Sequence, residues 1–233
     1  NPFDFTWILE EGEAFTAPEA VLVYSNEGLT GMSHIYNCLY GKRLCRGEHR
    51  DKIRPILINN WEATYFDFNE IKIKEIAKEA KNLGMELFVL DDGWFGKRDD
   101  DNSSLGDWFV NEDKLKGGLN KLATEINEMG LQFGLWFEPE MVSPISELYK
   151  EHPDWCLHIP GRNRSEARRQ LILDFSREDV CNYIIEKISE VLSSAPISYV
   201  KWDMNRNMSE IGSAKLPANR QREVAHRYML RLY

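Results

Sequence analysis

No stretch of this 233-residue chain approaches the roughly 18 uncharged apolar residues that a membrane-spanning helix needs, so no membrane partner is expected. Positive charge is also short. Twenty-nine Lys+Arg against 38 Asp+Glu leave a formal net charge of -9, which opposes attraction to phosphate backbones, so no nucleic-acid partner is expected either. Cysteine is scarce, and Cys38, Cys45, Cys156 and Cys181 show neither C-x-x-C nor any paired metal-ligand spacing. We read them as buried or idle thiols and expect no metal and no cofactor. The first thirty residues lack a basic region followed by an apolar run, so no signal peptide is read and a cytoplasmic, or already processed, chain is expected. The N-x-S/T sequons at Asn102, Asn163 and Asn207 are then chance. What is present excludes disorder: 42% of the residues are hydrophobic, and seven are tryptophan.

The chain falls into two parts. Phe3, Phe5, Trp7 and Leu9 alternate with other residues in a period of two, as in a half-buried strand, and Glu10–Glu13 reads as a turn. Residues 1–50 are therefore expected to be the edge of a β domain plus a linker, with the boundary near the aperiodic stretch Gly41–Lys52. From residue 51 to 233 the chain repeats a strand-then-helix unit. Strands are expected at 55–61, 85–90, 131–137, 171–174 and 197–203. Between them, Ile73, Ile76, Ala77, Ala80 and Leu83 mark one helix and Leu119, Leu122, Ala123, Ile126 and Met129 a second, with Gly84 and Gly130 as left-handed caps. Ser143-Pro144 is expected to open a short helix, and Ser176–Asp179 to cap the helix carrying Val180, Ile184, Ile188 and Val191. A last amphipathic segment spans Val224 to Leu232.

Parallel strands need crossovers and helices supply them, so the pattern predicts an α/β fold. No Gly-rich phosphate loop follows any strand, which weighs against a nucleotide-binding doubly wound sheet. A (β/α)₈ barrel of TIM type fits better, incomplete at about five units. Functional residues of such barrels collect at the C-terminal ends of the strands. Those ends carry Trp61 with Glu62, Asp91 with Asp92, Trp136 with Glu138, Asp174, and Trp202 with Asp203.

A rim of carboxylates and indoles suits a sugar, because carboxylates accept from its hydroxyls and indole rings pack on its C–H faces. Asp174 reads more simply as a helix N-cap. The adjacent Asp91-Asp92 pair is harder to dismiss, since burying two carboxylates together is unfavourable unless a ligand or cation engages them. Lys201 and Asp203 point to the same face of a strand, where the ammonium would keep Asp203 ionised, as a nucleophile requires. Asp101 to Glu112 imitates a calcium loop, but Leu105 stands where an oxygen ligand is needed. Arg162, Arg164, Arg168 and Arg169 read as salt-bridged surface.

The segments Leu90–Phe95 and Lys201–Arg206 resemble the signature of family 36 glycoside hydrolases, α-galactosidases of bacterial raffinose and melibiose use. The resemblance runs nearly the length of the chain and makes residues 1–50 similar to the end of that family's N-terminal β-sandwich. It implies that Asp203 is the nucleophile of a retaining double displacement. Asp91 and Asp92 would hold the galactose O4 and O6 hydroxyls, Trp61 and Trp136 would wall the subsite, and Lys201, Asn205 and Arg168 would bind the remaining hydroxyls. The strand reading, however, puts Arg168 at the start of the fourth strand, the end away from the rim.

The family's general acid/base is an Asp beyond its sixth strand, and no matching segment occurs before Tyr233. Because a retaining enzyme needs two carboxyl groups, the stretch alone is expected to be inactive. Two other readings remain open: a transglycosylase of raffinose-type sugars, and a non-catalytic carbohydrate-binding barrel piece. A parallel sheet left open after five strands exposes an edge, and contacts in a homo-oligomer are one way to cover it.

Overall fold

The protein is described by a computed structural model over residues 4–233, so Phe3 of the expected alternation lies outside the described residues. The chain divides into two compact units: Leu9–Pro55, and Ile56–Tyr233 together with the residues up to Ile8.

Within Leu9–Pro55 the regular elements are helix α1, Gly28–Leu39, and the π-helical turn Tyr40–Leu44 that continues it. No strand occurs among the described residues of this unit. Sequence reading missed α1, although Met32, Ile35, Tyr36 and Leu39 recur at helical spacing. Phe5, Trp7 and Leu9 also lie in irregular backbone rather than in a strand. The spacing of two serves a different end: it turns Phe5 and Trp7 onto one residue, His226, with ring centroids 5.4 Å away in both cases.

The larger unit starts with β1, Leu57–Asn59, the short helix α2, Trp61–Thr64, and helix α3, Glu70–Asn82. The Asn69 side chain caps α3 by accepting from the Ile71 and Lys72 N–H groups. Ile73, Ala77 and Ala80 are buried, whereas Leu83 is the exposed residue at which the helix stops. Gly84 follows at φ 86°, the left-handed conformation expected of it. Strand β2, Leu87–Leu90, leads through a loop to α4, Gly118–Glu128, which buries Leu119, Leu122, Ala123 and Ile126. Burying each of the three larger side chains stabilises the packing by roughly 1.5–3 kcal/mol. Gly130, at φ 84°, closes that helix before β3, Gln132–Phe137.

Here the expected order fails. Leu171–Ile172 is β5, and it pairs antiparallel with β4, Met141–Val142, in a separate two-stranded sheet. It is not a barrel strand. Between β4 and β5 the only helix of the α type is α5, Glu147–Glu151, about 7.5 Å long at 1.5 Å per residue and too short to carry the chain back across a sheet. The true crossover is α6, Glu178–Ser193, which returns the chain to β6, Tyr199–Trp202. Residues 138–177 are therefore one long excursion at the C-terminal end of β3.

Two cap assignments shift as well. Ser146, not Ser143, caps α5 through Tyr149 N–H at 3.1 Å. No side chain caps α6, because Ser176 is turned onto Asp174 and Asp179 onto Arg177. The chain ends in α7, Val224–Leu232, as the amphipathic pattern predicts.

The resulting sheet is β1-β2-β3-β6, all parallel, which is a four-stranded part of a (β/α)₈ barrel rather than a five-stranded one. Its register places Leu90 beside Leu135, Trp136 beside Lys201 and Phe137 beside Trp202. Because side chains alternate, Asp91, Trp136, Glu138, Lys201 and Asp203 all belong to one face of the sheet. Phe88, Leu90, Phe133, Leu135 and Phe137 belong to the other and form the core. Among the described residues, no helix is long and apolar enough to cross a membrane.

Candidate active site

The C-terminal ends of the four parallel strands bring seven of the eight anticipated residues into one neighbourhood. Asp203, just past β6, is half-buried, and its backbone N–H continues the ladder to Phe137 at 2.8 Å. One carboxylate oxygen accepts from the Trp136 indole N–H at 3.0 Å and the other from the Met204 N–H at 2.9 Å. Burial alone would raise its pKa. The Trp136 donor, the Asn205 side chain, the Met204 N–H and, last, the charge of Lys201 outweigh burial and leave the group below the ordinary aspartate range.

Lys201 thus favours the Asp203 anion, as its position two residues away suggests, but only as the smallest contribution, and its direct contact is elsewhere. Its ammonium lies 2.7 Å from Asp91, beyond the intervening strand β3. The same Asp91 oxygen accepts from the Asn59 side-chain amide, while the other accepts from the Asp92 N–H at 2.9 Å. Asp91 N–H in turn donates to the Asn60 side chain. Asp92 has its own cation: Arg98, 1% exposed, makes a paired contact through Nε at 2.9 Å and Nη2 at 2.7 Å. Burial still pushes the Asp92 carboxyl above its usual range, against that guanidinium. The two adjacent acids, expected to need a ligand or a cation, are each met by a cation of the protein itself.

The two anticipated tryptophans differ. Trp136 is 1% exposed; its ring stacks on Phe95 and its carbonyl accepts from the Trp94 indole. It holds Asp203 through its indole N–H, and little of its ring is open. Trp61 starts α2, partly exposed, with its backbone N–H on the Asn59 side chain and its ring edge-on to Tyr65 and Phe66. It presents the more open indole.

Arg168 is exposed and sits in the β3-to-α6 excursion, so it is not at the far end of a barrel strand as the strand reading had it. It forms, with Arg169, the two-residue tip of a hairpin closed by Ala167 and Gln170. Both arginines have positive φ, 54° and 53°, an unfavourable backbone for non-glycine residues. Arg206, at the end of the β6 motif, ties this hairpin down through the Ser165 and Gln170 carbonyls. Among the described residues neither Arg168 nor Arg169 has an ion pair, contrary to the expected salt-bridged surface. Asp174 stays apart: it is buried and accepts from Ser176 and Ser213.

Sequence reasoning missed Asn59, Asn60 and Arg98 as partners of the acidic pair; Glu138 stood among the expected rim residues, with no role given to it. The two asparagines were visible as the polar end of an apolar run. Nothing in the order of residues marked Arg98.

A family model described as Melibiase matches residues 14–233. Alpha-galactosidase AgaA of Geobacillus stearothermophilus is 70% identical over the whole chain, which covers 32% of that protein. Alpha-galactosidase Mel36A of Lactobacillus acidophilus is 52% identical, again over the whole chain and 32% of the relative. A solved structure of a variant of the Geobacillus AgaA in complex with raffinose is 70% identical and superposes with a TM-score of 0.98, covering all of this chain and 32% of that one. The chain thus spans about a third of the length of the relatives it matches.

Proposed function

The chain belongs to the Melibiase family, and on that premise we propose that it carries the nucleophile and the galactose-binding face of a retaining α-galactosidase acting on α-linked galactosides such as raffinose. The observation that carries the reading is Asp203: an ionised carboxylate at the rim, held by two N–H donors and kept below its ordinary pKa.

A nucleophile of this kind must be charged before the sugar arrives and fixed in direction. The Trp136 and Met204 donors do both, since each favours the anion and together they leave Asp203 little freedom to rotate. Attack of the carboxylate on the anomeric carbon breaks the glycosidic bond and forms a covalent galactosyl ester, which water then hydrolyses with net retention. Asp91 and Asp92 accept from the O4 and O6 hydroxyls. Their pairing with Lys201 and Arg98 keeps the carboxylates oriented, and Lys201, Asn205 and Arg168 donate to the remaining hydroxyls. Trp61 covers the apolar face of the ring. On this reading the general acid comes from a part of the longer protein outside this stretch. The raffinose complex of the 70% identical relative supports the substrate class.

The test is hydrolysis of p-nitrophenyl α-galactoside and raffinose by the longer protein. Turnover with release of α-galactose as first product is expected. Asp203→Ala should abolish it, and an unchanged rate in that variant would remove the assignment.

A further inference from the structure

We propose that Glu138 is a positioning residue for the reaction, one that sets the Asp203–Asn205 segment through hydrogen bonds to Asn205 without touching the sugar. The proposal rests on Asp203 being the nucleophile.

Glu138 follows β3 directly and lies level with Asp203, because Phe137 is in register with Trp202. It is 0% exposed, so no substrate hydroxyl reaches it. Its Oε1 accepts the Asn205 backbone N–H at 2.5 Å, a short contact made where the chain leaves β6 and the ladder gives out. Its Oε2 is buried without a partner. A second carboxylate this close to a nucleophile would normally repel it, and a buried oxygen with no donor would normally be selected against. The first is relieved if the group works as a neutral acid, and the second leaves the Asn205 N–H as the contact that fixes the carboxyl. Burial raises Glu138 above its ordinary range, opposed by the Asn205 backbone and side chain and by the charge of Arg98, and reinforced by the charge of Asp203.

Asn205 is the link. Its side chain also favours the anion of Asp203, so one residue is held by one carboxyl and steadies the other. Glu138 thereby couples the end of β3 to the loop that aims the nucleophile.

The experiment uses the longer protein and three variants, measuring kcat, KM and the acid limb of the pH profile of kcat/KM. Glu138→Ala and Glu138→Asp remove the reach to the Asn205 N–H. Each should lower kcat at least tenfold with KM changed less than threefold, and move the acid limb to higher pH. Glu138→Gln keeps the acceptor and the neutral form, and should recover kcat to within about threefold with the limb restored. If the alanine variant fails to fold, the aspartate variant carries the same reading. The proposal is overturned if the shortened variants lower only the thermal midpoint and leave kcat and the limb in place. It is equally overturned if the glutamine variant is as impaired as the alanine one. Asp203→Ala, run alongside with azide as an external nucleophile, separates the two levels. Rescue by azide with Glu138 variants unchanged sinks the positioning role alone, whereas full turnover in Asp203→Ala sinks the functional reading beneath it.

Discussion

The Lys201 ammonium lies 2.7 Å from the Asp91 carboxylate, spanning from β6 over β3 to the end of β2, although Asp203 stands two residues away on its own strand. The Asp91 side chain is 4% exposed and that of Lys201 38%. The pair thus joins the two motifs, 110 residues apart, at the point where the candidate sugar site lies.

Removing either partner alone leaves a charge unmatched. Lys201→Met is expected to destabilise by about 2 kcal/mol, in line with a hydrogen bond to a charged group that is partly open to water. Asp91→Asn combined with Lys201→Met should be less destabilised than the sum of the single changes. Urea unfolding of the four proteins in this cycle measures the coupling, and strict additivity would mean that the contact contributes nothing.

Arg98 and Asp92 form the more buried pair, with side chains 2% and 8% exposed. Arg98→Met is expected to cost about 3–5 kcal/mol, because an unpaired carboxylate is left inside. Arg98→Lys should recover only part of it, since an ammonium cannot match both carboxylate oxygens at once. Thermal unfolding midpoints of the two variants decide this; equal values would show that the paired geometry is immaterial.

The Trp136 indole N–H is the leading group that lowers the Asp203 pKa. Because the folded-state value lies below the ordinary one, the anion contributes stability that is present at neutral pH and is lost as pH falls through the folded pKa. Trp136→Phe keeps the ring and removes the donor. The acid limb of kcat/KM should move to higher pH, and kcat should fall roughly tenfold, the equivalent of about 1.4 kcal/mol. A pH–rate profile identical to the wild type would contradict the assignment.

The strained hairpin tip offers a trade between stability and binding. Arg169→Gly relieves one left-handed backbone and is expected to stabilise by about 0.5–1 kcal/mol with KM for galactosides little changed. Arg168→Gly should stabilise similarly and raise KM several-fold, because it also removes a proposed sugar donor. Paired measurements of thermal midpoint and KM distinguish the two arginines.

How far each feature was legible follows from the range of the interactions behind it. The helices α3, α4, α6 and α7, the caps Gly84 and Gly130, and the four parallel strands were all readable, because periodicity and turn chemistry are written in adjacent residues. Leu171–Ile172 misled because a short apolar run looks the same whether it enters a barrel or a side hairpin. The choice was made by Met141–Val142, thirty residues earlier, and by the want of a long crossover helix between them. Phe5 and Trp7 misled for a similar reason, since alternation can serve a single packing partner as well as a strand.

By itself the sequence determined that Trp61, Asp91-Asp92, Trp136 and Asp203 would collect at one end of the sheet, because parallel strands present their C-terminal ends to the same rim. Only the tertiary structure decided which charge meets which. Lys201, expected to keep Asp203 ionised, does so only weakly and makes its direct contact with Asp91; Arg98 pairs with Asp92; Trp136, Asn205 and Met204 do more than Lys201 to favour the Asp203 anion. Electrostatic partners are chosen by distance in space, and strand register sets those distances while sequence separation says nothing about them.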